Sequence, residues 1–199
     1  GSYLYLRKIL SNGNLDSESV RVAYYSFSPK IYGDKIVWRD FRNGHYDIYL
    51  RKINADGTLN DEIRITTNGA NQISPDIYGD KIVWTDQRGE GDDIYLRKID
   101  ANGNPVGNEI QITDIGNQFE SDIYGDKIVW SDYREGNNDI YLRKIDGNGN
   151  PFGNDIQIIG IGGNQFEPRI YSDKIVWREY GNGNDDIYLR KIDANGNLI

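Results

Sequence analysis

Short apolar runs rich in β-branched and aromatic residues alternate along this chain with gaps of Gly, Asn and Asp. No window keeps the 3.6-residue apolar spacing of a helix, so the pattern predicts strands joined by turns. In the stretch from Pro75 to Thr113 four strands are expected: A over about Pro75–Tyr78, B over Lys81–Asp86, C over Asp93–Asp100 and D over Glu109–Thr113. Gly79-Asp80 between A and B, and Asn102-Gly103 after C, are turn dipeptides, since Gly supplies the positive φ that tight hairpins need. In strand B, Ile82 and Trp84 face one way and Val83 the other. Both faces are therefore apolar. A sandwich strand would carry one polar face, whereas a sheet stacked between two neighbouring sheets must cover both.

The same pattern recurs along the whole chain. KIVW begins at Lys35, Lys81, Lys127 and Lys174, and YLRKI at Tyr5, Tyr49, Tyr95, Tyr141 and Tyr188. Four antiparallel strands in a period of roughly 40–50 residues is the mark of a propeller blade. A β-solenoid usually has a shorter repeat without paired hairpin turns. The expected fold is all-β: one β-propeller domain over residues 1–199, built of four-stranded antiparallel blades with four blade repeats per chain. Apolar residues make up 37% of the chain and charged residues 27%. That balance would read as disorder if the apolar residues were scattered, but they sit in register, with 15 Tyr and 4 Trp to pack.

The run Ser74-Pro75-Asp76-Ile77-Tyr78-Gly79-Asp80-Lys81-Ile82-Val83-Trp84-Thr85-Asp86, with Asp93-Ile94-Tyr95-Leu96 after it, resembles TolB-type propeller repeats, above all those of archaeal and bacterial cell-surface proteins. The resemblance spans almost the whole chain. It implies surface display and protein or glycan interaction, and it carries no catalytic motif. It also implies six to eight blades, where this chain has four sets.

Ring closure is open at this level. The chain begins on a C strand (Tyr3–Ile9) and a D strand (about Ser19–Tyr24) and ends after a C strand, so one C strand is surplus: Tyr3–Ile9 or Ile187–Asp193. The N-terminal D strand could complete the last blade and close a four-bladed monomer, which local effective concentration favours. Alternatively, two chains could exchange ends as a homodimer and make an eight-bladed ring.

The chemistry on offer is limited by the composition. A net charge of −8 gives no basic surface for nucleic acid, and no apolar run approaches membrane-spanning length. With no Cys, thiolate metal sites and disulfides are excluded. The Gly1-Ser2 start and the lack of Met suggest an excised or engineered segment, from which any signal or anchor would be missing. The pairs Asp40–Arg42, Asp86–Arg88 and Asp132–Arg134 recur blade after blade, so they are expected to hold loops rather than form a site. The turns Asp100–Asn104, Asp146–Asn150 and Asp193–Asn197 suggest calcium at first sight, but glycine is fourth rather than sixth and a hairpin accounts for Asn-Gly. No cofactor is expected, with calcium the one candidate.

Positions where the repeats disagree are more informative. One strand-A position holds Lys30, Asp76, Asp122 and Arg169. By resemblance strand A is innermost, so these four are expected at the channel mouth. There, two cations and two anions would neutralise each other, where four like charges would repel. Phe41, His45, Tyr46, Tyr133 and Tyr180 are expected on the B–C loop face, where aromatics amid Asn and Asp suit a sugar or a peptide. Three functions stay in view. The first is a non-catalytic binding or scaffold module of a cell-surface or secreted protein. The second is a carboxylate-dependent glycoside-active enzyme. The third is a spacer, or an engineered or excised repeat segment, with no ligand.

Overall fold

The computed structural model describes residues 2–159, 163–181 and 183–199; Gly1 of the Gly1-Ser2 start lies outside the described residues. The described chain is all β, with seventeen strands in five antiparallel sheets. A two-stranded sheet comes first, β1 (Tyr3–Ile9) and β2 (Leu15–Tyr24). Blade 1 holds β3 (Ser26–Tyr32), β4 (Lys35–Asp40), β5 (Asp47–Lys52) and β6 (Ile63–Arg64). Blade 2 holds β7 (Gln72–Tyr78), β8 (Lys81–Asp86), β9 (Asp93–Ile99) and β10 (Pro105–Gln111). Blade 3 holds β11 (Gln118–Tyr124), β12 (Lys127–Asp132), β13 (Asp139–Ile145) and β14 (Pro151–Ile159). Blade 4 holds β15 (Asn164–Tyr171), β16 (Lys174–Gly181) and β17 (Asn184–Lys191). Each blade is a meander, so the fold is the expected β-propeller with four blade repeats.

Both faces of strand B are used as the alternation required. In blade 2, Ile82 and Trp84 pack with Tyr95 and Ile99 against Val37, Ile48, Leu50 and Ile65 of blade 1. Val83 turns the other way and joins Ile94, Leu96 and Ile112 against blade 3. The same arrangement recurs between blades 3 and 4. The tryptophan stands opposite the strand-C tyrosine and stacks on it, with Trp84–Tyr95 centroids 6.3 Å apart. Backbone clasps reinforce the stack: Arg97 donates to the Ile65 carbonyl (2.6 Å) and Arg143 to that of Ile112 (2.6 Å).

The recurrent Asp–Arg pair proves to be the internal brace of blades 1, 2 and 3. Asp86 is buried, and its carboxylate accepts from Trp84 Nε1 (2.9 Å), from the Arg88 backbone N–H (3.1 Å) and from the Arg88 guanidinium at 2.8 and 2.5 Å. Those bonds hold Arg88 above the ordinary arginine pKa. Blade 4 has Glu179 and no arginine at this place, and its Trp177 bond is a long 3.5 Å.

One expectation is corrected. The N-terminal C and D strands do not complete the last blade: β1 and β2 pair with each other, β15–β17 form a three-stranded sheet, and no ladder joins the two among the described residues. The reason is that β1 already occupies the edge of β2 that β17 would need. In consequence Ile187 (75% exposed) and Leu189 (55%) lie open, whereas Ile48 and Leu50 are fully buried in blade 1. Each forgoes about 1.5–3 kcal/mol of burial. Strand D also begins earlier than expected: β10 starts at Pro105, and a register shift between Val106 and Ile110 absorbs the extra residues.

The brace makes a contrast between blades testable. Asp86→Ala leaves the buried Trp84 indole N–H without its acceptor and the part-buried Arg88 guanidinium with Glu109 alone, and should cost about 2–4 kcal/mol. Glu179→Ala removes only long hydrogen bonds and should cost about 1 kcal/mol or less. Urea unfolding of the two variants measures the difference, and equal losses would contradict it.

Candidate functional site

Strand A carries the same backbone irregularity in all four blades. The register slips between Phe27 and Lys30, Ile73 and Asp76, Phe119 and Asp122, and Phe166 and Arg169. Within each slip one non-glycine residue takes a left-handed conformation: Ser28 (φ 51), Ser74 (φ 51), Glu120 (φ 57) and Glu167 (φ 53). Each costs of order 1–3 kcal/mol and persists only where its surroundings enforce it. All four line one cavity of about 170 Å³, together with Lys30 and Arg169. These four residues were not singled out from the sequence. The available signal was their place, two before the variable Lys/Asp/Asp/Arg position, with Ser, Ser, Glu and Glu varying alongside it.

The structure brings three of the four expected mouth residues together. Lys30 Nζ lies 3.5 Å from Asp76 Oδ1 and 3.9 Å from Asp122 Oδ1, spanning three blades. Both carboxylates are buried and also serve the next blade: Asp76 Oδ2 accepts from the Ile123 N–H (3.2 Å), and Asp122 Oδ2 from the Ile170 N–H (2.7 Å). Arg169 lines the same cavity but donates to the Pro168 carbonyl (2.7 Å). Burial, and then the neighbouring Asp76 carboxyl, push Asp122 up to about 8, against the pull of the Ile170 N–H and Lys30. The cluster therefore offers a proton on Asp122, a cation on Lys30 and exposed groups of both signs at the rim.

The B–C loops share a face with the D–A loops, as expected. The N–H groups of Tyr46, Asp92 and Asn138 reach the side-chain oxygens of Asn71, Asn117 and Asn164 in the following blade. On this face Phe41 and Tyr46 come together, ring centroids 4.9 Å apart, with Phe27 6.1 Å from Tyr46 and the Arg39 guanidinium 4.7 Å above it. Phe27 and Arg39 were not picked out from the sequence. Tyr133 and Tyr180 are exposed in their own blades, and neither has a ring partner among the described residues. His45 Nε2 lies 3.4 Å from both Asp47 Oδ1 and Arg64 Nη2, within the loop's own polar cluster. In the Asp100 turn the carboxylate accepts from the backbone N–H groups of Asn102 and Asn104 (both 2.8 Å) and from Asn104 Nδ2 (3.0 Å), which is how the hairpin is held.

With this geometry in hand, the comparison with known proteins is one of fold. No protein-family model matches the sequence, and no curated protein does. The chain is similar to TolB from Acinetobacter baumannii, with a TM-score of 0.68 and 18% identity over 98% of this chain and 48% of that one. In fold, the chain is a β-propeller similar to that of TolB. It spans about half the length of the TolB chain it matches. It is also similar to a thermostable family-43 glycoside hydrolase (TM-score 0.57, 12% identity, 87% of this chain and 73% of that one). A prolyl endopeptidase structure matches with a TM-score of 0.59 and 12% identity, over 87% of this chain and 27% of that one. These likenesses fix the architecture and leave open whether the chain is an enzyme.

The raised Asp122 gives a pH signature. A carboxyl that holds its proton more tightly folded than unfolded loses its contribution as pH rises from about 4 through about 8. Asp122→Asn keeps a carbonyl for the Ile170 N–H and has no proton to lose. Its stability relative to wild type should rise between pH 5 and about 8 and level off above that in urea titrations. Parallel pH profiles for the two proteins would show that Asp122 is not perturbed.

Proposed function

We propose that the chain is a non-catalytic binding propeller of a cell-surface or secreted protein, taking an extended segment of a partner protein at the channel mouth. The observation that carries this reading is the convergence of blade-specific residues on one cavity. The KIVW and YLRKI strands recur from blade to blade, yet here the rim varies as Ser28, Ser74, Glu120 and Glu167, with Lys30 and Arg169 among them. Left-handed residues at all four positions mark a rim whose backbone is enforced by its surroundings. Mixed charge at close spacing suits a peptide, whose backbone and side chains offer both signs, better than a neutral sugar. Among the described residues no helix is long and apolar enough to cross a membrane.

A second reading has one observation behind it. Asp122, protonated near neutrality beside Asp76, has the form of an acid and its partner carboxylate, as glycoside chemistry requires. Against it, both carboxylates are already engaged by Lys30 and by the next blade's N–H groups.

Panning a displayed random-peptide library decides between them. Wild type should enrich peptides carrying both a carboxylate and a basic group, and Arg169→Glu, an exposed change, should weaken them at least tenfold. No enrichment, together with hydrolysis of an aryl glycoside that Asp122→Asn abolishes, would favour the second reading.

A further inference from the structure

Three of the blade-on-blade interfaces share contacts that are missing where β1–β2 meets blade 1. A Cβ placed on the turn glycines Gly103, Gly149 and Gly196 would come within 2.5, 2.7 and 2.9 Å of Leu50, Leu96 and Leu142 of the preceding blade. The strand-C lysines close the same interfaces: Lys52 donates to the Ala101 carbonyl (3.0 Å), Lys98 to Gly147 (2.9 Å) and Lys144 to Ala194 (3.3 Å). At the first interface Gly57 meets nothing within 4 Å. A cavity of about 410 Å³ separates it from Leu6, and no such bond is made by Lys8 among the described residues. β1 is thus a strand C that is not seated as the others are.

Charge identifies the strand C that β2 fits. In blade 1, Arg64 of strand D pairs with Asp47 of strand C at 2.7 Å. Arg21 holds the Arg64 place in β2, since it stands opposite Tyr5 as Arg64 stands opposite Tyr49. The Asp47 place in β1, however, is Tyr3, and Arg21 lies instead over the exposed Tyr24 ring at 4.1 Å. In β17 that place is Asp186, exposed and without an ion-pair partner among the described residues, on a strand whose outer edge has no ladder.

We propose that β2 of one copy of this chain adds to the outer edge of β17 of a second copy, releasing β1, so that Arg21 pairs with Asp186 between chains. Leu189 and Lys191 of that second copy then take the places of Leu6 and Lys8 beneath Gly57 and Ala55 of the first. The interface repeated between the internal blades continues across the junction. Each copy contributes sixteen strands, β2 to β17, or four complete blades, and gives one β2 while receiving one. Two copies related by a two-fold axis close an eight-bladed ring. A second copy is the occupant because, among the described residues, the chain's own β1–β2 and β15–β17 sheets share no ladder, while the interfaces between them are seated alike.

Sedimentation equilibrium tests this on the 199-residue chain and point variants. Wild type should have twice the chain mass. Arg21→Glu and Asp186→Arg each place like charges at both junctions and should weaken association at least tenfold. Mixed in equal amounts, the two variants present complementary charges at both junctions and should recover the two-chain mass, as should the double variant Arg21→Glu/Asp186→Arg. A single-chain mass for wild type, or a mixture that stays single-chain while the double variant keeps its fold, overturns the proposal. A chain that closed on itself would give that result.

Discussion

The packing of one blade face on the next is the interaction on which everything else depends. A lone four-stranded sheet with two apolar faces cannot persist in water; it must be covered on both sides. Each blade here solves this by presenting Val37, Ile48 and Leu50, or their equivalents, to a neighbour's Ile82, Trp84 and Tyr95. The buried Asp86 exists to serve that contact. It fixes the tryptophan through its indole N–H and ties down the loop through Arg88, so the largest side chain in the interface has one orientation. Blade 4 shows the converse: Glu179 replaces the aspartate, no arginine follows, and the outward face beyond Trp177 is open.

Stacking also explains why the candidate site lies at the channel mouth. Interfaces repeat, so their residues are constrained in every blade and have little freedom to specialise. The innermost strand is different. Its bulge removes a residue from the ladder in each blade, and the side chains around it face the channel rather than a neighbouring sheet. Lys30, Asp76 and Asp122 could diverge there because three blades share one electrostatic problem. A lysine on the first blade faces the carboxyl groups of the next two, one of which holds its proton near neutrality, and both tie each blade to its successor through a backbone N–H.

Much of this was legible in the residues alone. The spacing of KIVW and YLRKI determined the strand order, and the alternation of Ile82, Val83 and Trp84 determined that both faces are buried, because side-chain direction in a strand follows parity. The disagreement among Lys30, Asp76, Asp122 and Arg169 singled those positions out, and the resemblance to known propellers put them at the mouth. What could not be read was distance and competition. Lys30 reaches Asp122 two blades away, and Arg169 turns to its own Pro168 carbonyl; both depend on how much each blade rotates from the last. The left-handed Ser28, Ser74, Glu120 and Glu167 have no local signature, since neither residue type prefers that conformation. The fate of the surplus strand C was equally hidden. β1 and β17 carry the same YLRKI string, and only their partners in space separate a strand that is seated from one that is not. Sequence by itself determined the blade, because periodicity and turn chemistry are local. The tertiary structure decided which strand meets which at the two ends, because that depends on edges and charges brought together from opposite ends of the chain.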